Sequence, residues 1–124
     1  MPVQTRVALV VVALLLGAFA PAAWAQDAGE AIFKRYCAVC HTTQPGTNKI
    51  GPSLAGIVGR KAGSVEGYNY TDANKKSGLT WDEQALDTYL TDPKKTIPGT
   101  KMLFAGIKGA EDRKALIQYL KQPH

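Results

Sequence analysis

The chain has 124 residues and a formal net charge of +5, which fits one small domain. Its two cysteines and one of its two histidines lie within five residues, and the other histidine is the last residue, so a structural zinc site with four Cys or His ligands is disfavoured. Nucleic-acid binding, which a basic charge can indicate, is also disfavoured because the N-terminus predicts export.

The first 25 residues differ in kind from the rest. Arg6 precedes an uninterrupted apolar run over residues 7–20, and the tripeptide A-W-A at 23–25 has small residues at the two positions that a signal peptidase inspects. We therefore predict a secretory signal peptide over residues 1–25. The mature protein is expected to begin near Gln26 and to lie in the periplasm.

An uncleaved membrane anchor is the alternative. Residues 7–25 approach the roughly 20 apolar residues that span a bilayer. Pro21 and the small-residue cleavage site favour removal of the segment.

A helix is predicted next, over about residues 28–40. Asp27 and Glu30 have the spacing of a capping box, and apolar residues that include Phe33 and Tyr36 follow at helical spacing.

This predicted helix leads into the pentapeptide C-A-V-C-H at 37–41, the attachment signature for a covalent c-type haem. Each thiol adds across one of two vinyl groups on a single porphyrin edge. A three-residue step on a helical turn brings both sulfurs to that edge, and the next residue directs its imidazole at the iron. Cys37 and Cys40 are therefore predicted to anchor one haem c, with His41 as an iron ligand.

Three other interpretations of the pentapeptide are weaker. A structural zinc site lacks ligands, as described above. A thioredoxin-like dithiol normally lies beside a strand-helix unit, and no strand pattern precedes Cys37. A plain disulfide between Cys37 and Cys40 is the third alternative.

Long loops are predicted between the pentapeptide and the last two helices. Glycines at 56, 59, 63 and 67 follow a polar turn at 42–46, and no G-x-G-x-x-G or Walker pattern includes them. They are interpreted as flexible backbone that wraps closely against a flat ligand.

The sequence of the second half of the chain predicts three helices and one further loop. The first of these helices is short and covers residues 72–77. The second begins with the T-x-x-E capping box at Thr80 and ends at Asp92-Pro93. The third covers 110–121, with Leu116, Ile117 and Leu120 on its inner face. Residues 93–108 contain prolines and glycines and predict a loop. Together these elements predict an all-α domain.

Met102 is the one methionine expected in the mature chain, because Met1 leaves with the signal peptide. It lies in the loop before the last helix, which favours a ligand over a core residue. A thioether opposite a histidine raises the reduction potential relative to stronger donors. It also fills the coordination sphere, which restricts the haem to passing single electrons.

Several motifs together resemble the class I cytochromes c, which include mitochondrial cytochrome c and bacterial cytochrome c2. The matching stretches are C-A-V-C-H at 37–41, G-P-S-L at 51–54, Y-T-D-A-N at 70–74, L-T-W at 79–81 and P-K-K-T-I-P-G-T-K-M-L-F-A-G-I at 93–107. The resemblance implies a cytochrome c domain over 26–124, with three main helices, short helices and long loops around one covalent haem.

The resemblance also implies roles for individual residues. The Pro52 carbonyl would accept a hydrogen bond from His41 and orient it. The other implied groups are a propionate site of Tyr70, Trp81 and Arg60, a polar network near Met102 of Tyr89, Asn74 and Thr100, and a helix contact of Gly29, Phe33, Leu116 and Tyr119. Trp81 and Tyr89 could alternatively be ordinary core aromatics.

Basic residues fall in segments expected near the haem edge, and acidic residues cluster at 82, 83, 87, 111 and 112. The basic residues are Lys34, Arg35, Lys49, Lys94, Lys95, Lys101 and Lys108. Such a face steers association with acidic docking faces of membrane redox complexes. The alternative is an ordinary solvated surface. Tyr36 stands where the mitochondrial protein commonly has a lysine, which weakens that part of the face.

These observations predict a monomeric one-electron carrier, not an enzyme. It would take electrons from a bc1-type donor and pass them to an oxidase, a reductase or a photosynthetic reaction centre, in a respiratory or photosynthetic chain. One alternative is a haem peroxidase or gas sensor with a labile Met102, and another is a membrane-tethered form of the same carrier.

Overall fold

The computed structural model describes residues 22–124, and the predicted apolar signal segment before Ala22 lies outside the described residues. This part of the chain contains five helices in the order α1 (Ala22–Tyr36), α2 (Asp72–Lys75), α3 (Glu83–Thr91), α4 (Pro93–Thr96) and α5 (Ala110–Lys121). Within residues 22–124, β structure is limited to one isolated bridge between Lys61 and Thr80. The predicted all-α fold with three main helices and additional short ones is therefore confirmed.

No helix of the described part of the chain is long and apolar enough to cross a membrane. The predicted cleavage point after Ala25 lies within α1.

The prediction for the first helix was wrong at both ends. The helix begins at Ala22 and ends at Tyr36, so Asp27 and Glu30 lie inside it and form no capping box. Glu30 instead pairs with Lys34 one turn later, at 2.6 Å. A side-chain cap acts only on amides that lack a helical partner, and amides inside a continuous helix already have one.

The end of α2 and the cap of α3 also differ from what the sequence predicts. Helix α2 is shorter than predicted, because it ends at Lys75. Thr71 caps its start, and the Thr71 hydroxyl accepts from the Asn74 amide at 3.2 Å. At α3 the cap is Asp82, which accepts from the Ala85 amide at 2.7 Å, so the Thr80 capping prediction was wrong. Thr80 is instead held in the extended bridge to Lys61.

A short helix, α4, lies within the segment predicted to be entirely loop. Asp92 ends α3 and caps α4, because its carboxylate accepts from the Lys95 amide at 3.1 Å. Pro93 occupies the first helical position, where its missing N–H has no consequence. Residues 97–109 then form the loop that carries Met102.

The first and last helices cross at the centre of the core. The Phe33 and Tyr119 rings lie 5.6 Å apart, and Leu116 is completely buried. An ideal Cβ built on Gly29 would lie 2.3 Å from the Ala115 carbonyl oxygen, so a glycine is needed for this close approach. The bounds and inner face predicted for α5 are confirmed.

Candidate cofactor site

The cysteines of the pentapeptide lie in a tight turn directly after α1. The amides of Cys40 and His41 both donate to the Cys37 carbonyl, at 3.0 and 2.9 Å. Both thiols are free, so the disulfide alternative is not formed. Burial raises the pKa of Cys37 to about 11, and the neighbouring Cys40 adds to the effect. A redox dithiol has a lowered cysteine pKa, which makes the thioredoxin-like interpretation unsuitable.

The imidazole of His41 is oriented by the backbone of Pro52. Its Nδ1 lies 2.7 Å from the Pro52 carbonyl oxygen. A carbonyl only accepts, so Nδ1 must carry the proton of this hydrogen bond. Burial lowers the pKa of His41 by disfavouring the imidazolium, although the Pro52 carbonyl opposes this shift. In the neutral ring, Nε2 keeps a lone pair for a metal.

Gly51 and Ser53 flank Pro52 and fix its position, and neither was assigned a role from the sequence. An ideal Cβ on Gly51 would lie 2.3 Å from His41 Cε1, so only glycine leaves room for the ring. The Ser53 amide donates to Asn48 Oδ1 at 2.9 Å, and its hydroxyl donates to the Gln44 carbonyl at 2.6 Å. The G-P-S motif was the sequence signal that could have indicated these residues.

Met102 contacts two hydroxyl groups, that of Tyr89 through its sulfur and that of Thr100 through its amide. The Tyr89 hydroxyl is 3.8 Å from Met102 Sδ and 3.4 Å from Thr100 Oγ1, and the Met102 amide donates to Thr100 Oγ1 at 3.3 Å. Burial raises the pKa of Tyr89, so the phenol keeps its proton. The Trp81 ring packs against Tyr89 with centroids 4.8 Å apart and is buried.

Two buried polar atoms near the long loops have no partner among the described residues. Arg60 donates to the carbonyls of Ala55 and Ser53, at 2.8 and 3.0 Å, but its buried Nε donates to nothing. Asn74 Oδ1 is also unsatisfied, so it accepts no hydrogen bond from Tyr89 or Thr100. The Tyr70 hydroxyl accepts from the Val65 amide at 3.1 Å.

These residues fit a haem. Two free thiols three residues apart precede an imidazole whose Nε2 is available. The half-buried guanidinium of Arg60, with an unused N–H on its buried Nε, is suited to a propionate carboxylate. Among residues 22–124, no group of three or more His, Cys, Asp or Glu side chains could hold a metal ion, which leaves the zinc interpretation without a site.

Comparison with known proteins identifies the family. The family model described as Cytochrome c matches residues 26–123. The chain belongs to the cytochrome c family.

Three of the relatives in this cytochrome c family come from one fungus and two bacteria. A cytochrome c of Gibberella zeae is 60% identical over 94 residues, covering 75% of this chain and 89% of the relative. A cytochrome c2 of Blastochloris viridis is 53% identical over 112 residues, covering 88% and 87%. The cytochrome c2 iso-2 of Magnetospirillum molischianum is 56% identical over 85 residues, covering 68% and 88%.

Membership confirms several predictions. The resemblance to class I cytochromes c is confirmed, and with it one haem c joined covalently through Cys37 and Cys40. Members of the cytochrome c family are electron-transfer proteins and not enzymes, so the peroxidase alternative is not supported. Family membership also implies redox partners.

The basic residues predicted for docking have different local environments. Lys34 pairs with Glu30, the Arg35 guanidinium lies 5.1 Å from the centroid of the Tyr36 ring, and Lys94 and Lys95 are exposed on α4. Three others are close to backbone carbonyls, in the pairs Lys49–Ala38, Lys101–Asn69 and Lys108–Thr91.

Proposed function

We propose that this member of the cytochrome c family is a diffusible one-electron carrier in which His41 and Met102 would be the two protein ligands of the haem iron. The observation that carries the proposal is the 2.7 Å contact between His41 Nδ1 and the Pro52 carbonyl, which leaves Nε2 as the free ring nitrogen. Bound haem c supplies an iron that gains and loses single electrons.

Met102 is supported as the second ligand by its surroundings. The Tyr89 hydroxyl donates toward the sulfur at 3.8 Å, which favours the present orientation of the thioether. A soft thioether donor favours the reduced state relative to stronger donors. A firmly held Met102 would also keep small molecules out, so the chain would exchange electrons without making or breaking bonds.

Replacing Met102 tests this assignment. The oxidised wild-type protein should show a weak near-red band from sulfur-to-ferric charge transfer, and Met102→Ala should lose it. Reduced Met102→Ala should bind carbon monoxide about 10- to 1,000-fold more tightly than wild type, because the competing ligand is gone. Optical titration at neutral pH measures both effects.

Leu103→Ala is the matched control, because this neighbouring side chain is 93% exposed and should leave the band unchanged. A wild-type protein that binds carbon monoxide as readily as Met102→Ala would disprove the His41 and Met102 pair.

We propose that the partners are membrane redox complexes with acidic docking faces, a bc1-type donor and an oxidase, reductase or photosynthetic reaction-centre acceptor. The exposed Lys94 and Lys95 lie on α4, directly before the loop that carries Met102. Acidic residues at 82, 83, 111 and 112 are exposed at the starts of α3 and α5. Such an asymmetric charge distribution orients diffusional encounter.

The double variant Lys94→Glu/Lys95→Glu should slow electron transfer to an acidic partner complex by about tenfold or more at low ionic strength. The difference should shrink with added salt, because the Debye length is only about 10 Å at 0.1 M. Stopped-flow rates over a salt series measure this. Lys114→Glu, an exposed charge reversal on α5, is the control. An equal loss in the control would favour the solvated-surface alternative.

We also propose that the chain is exported to the periplasm and cleaved after Ala25. The support is the apolar segment and the A-W-A site in the sequence. N-terminal sequencing of the purified protein should give Gln26 as the first residue. An N-terminus that still includes residues 7–20 would favour the membrane-tethered form.

A further inference from the structure

The loop that carries Met102 is held on both sides of the methionine. On the side before Met102, the Thr100 amide donates to the Ile97 carbonyl at 3.0 Å and Lys101 Nζ is close to the Asn69 carbonyl. The contacts that involve the Thr100 and Tyr89 hydroxyls are longer, at 3.3–3.8 Å. On the far side, the Ile107 amide donates to the Leu90 carbonyl at 2.7 Å. Gly106 also approaches Thr91 so closely that an ideal Cβ would lie 2.2 Å from the Thr91 carbonyl oxygen. The far end of the loop is therefore fixed to the end of α3.

One side chain connects this end of the loop to two helices. Arg113, in the first turn of α5, donates through Nη1 to the carbonyls of Ile107 and Lys108, both at 2.9 Å. Its Nε donates to the Asp87 carboxylate of α3 at 2.7 Å. The residue is only 9% exposed. A planar guanidinium can satisfy several acceptors in fixed directions at once, which a lysine ammonium cannot do with the same geometry.

The position of Arg113 is unfavourable for α5 itself. A cation in the first turn of a helix opposes the helix dipole, whereas Glu111 and Asp112 beside it complement the dipole. A buried cation at this place is explained by its contacts outside the helix. Those contacts join the end of the Met102 loop to α3 and α5.

We propose that Arg113 is a positioning residue that keeps Met102 in its ligating position by fixing the 106–108 end of the loop. The proposal rests on the proposed His41 and Met102 ligation. Displacement of the Met102 sulfur requires the loop to move, and with its 106–108 end fixed the loop has a smaller range of motion. Without Arg113, two loop carbonyls lose a buried donor and Asp87 loses its cation, so the displaced state becomes more populated.

Imidazole binding to the oxidised haem protein measures this population. An external ligand binds only when Met102 is displaced, so its apparent affinity is proportional to the displaced fraction. Arg113→Ala should bind imidazole about tenfold or more tightly than wild type, and its near-red band should be weaker. Arg113→Lys should give an intermediate affinity, because it keeps the charge but loses the planar set of donors.

Lys121→Ala is the matched control. It removes the Glu83–Lys121 ion pair, which also joins α3 to α5, without touching residues 106–108. Its imidazole affinity should stay within about twofold of wild type. An equal rise in Arg113→Ala and Lys121→Ala would show general loosening of the two helices and would overturn the proposal. An unchanged affinity in Arg113→Ala would overturn it as well.

A second pair of variants keeps the test decisive if Arg113→Ala does not accumulate as haem protein. Asp87→Asn removes only the charge that faces Arg113, and Glu83→Gln removes the corresponding charge that faces Lys121. A rise in imidazole affinity in Asp87→Asn alone supports the proposal, and no difference between the two overturns it. Failure of the ligand assignment has another signature, since wild type would then lack the near-red band and bind imidazole like Met102→Ala.

Discussion

Gly29→Ala should lower the free energy of unfolding by about 3 kcal/mol or more. An ideal Cβ at this position would lie 2.3 Å from the Ala115 carbonyl oxygen and 2.5 Å from Tyr119 Cβ. Neither atom is at the end of a flexible side chain, so α1 and α5 must separate. The expected sign is opposite to intrinsic helix propensity, which favours alanine over glycine by about 1 kcal/mol.

Guanidinium unfolding of the haem protein, followed by circular dichroism, measures the change. Gly109→Ala is the control, since the nearest atom to an ideal Cβ there is a side-chain oxygen of Asp112 at 3.4 Å. We expect it to change stability by less than about 1 kcal/mol. A Gly29→Ala midpoint at or above the wild-type value would contradict the proposed close approach of the two helices.

The sequence predicted the last helix well because several signals agree there. Acidic residues at its start, Lys121 at its end and a continuous inner face all describe the same 110–121 segment. The first helix had weaker signals. Asp27 and Glu30 fit a capping box by spacing alone, and spacing does not reveal whether the chain before them is already helical.

The candidate site also has one part that the sequence could predict and one part that it could not. The pentapeptide at 37–41 is a local pattern whose chemistry follows from spacing, so the two cysteine anchors could be predicted from the sequence, and His41 could be proposed as an iron ligand. The contacts of Arg113 with Asp87 and Ile107 join residues that are distant in the chain. Such contacts depend on how α3 and α5 pack, and no local pattern encodes that packing.

Gly51→Ala should reduce the yield of haem-loaded protein by about tenfold or more, because it disturbs the orientation of His41. An ideal Cβ would lie 2.3, 2.6 and 2.8 Å from three atoms of the imidazole ring. The ring must rotate or shift to avoid it. Either movement changes the direction of Nε2 or breaks the 2.7 Å contact between Nδ1 and the Pro52 carbonyl.

Backbone strain does not complicate this variant, because Gly51 is not among the glycines with positive φ. The ratio of haem absorbance to protein absorbance measures haem loading. The low-spin ferric signal in electron paramagnetic resonance reports the orientation of the ligand. Gly109→Ala serves again as the control, since its φ of −70° accepts alanine and it lies outside the cofactor site. A methyl group at position 51 cannot coexist with the present position of the His41 ring. If Gly51→Ala nevertheless shows full haem loading and an unchanged low-spin signal, the Pro52 contact does not orient His41.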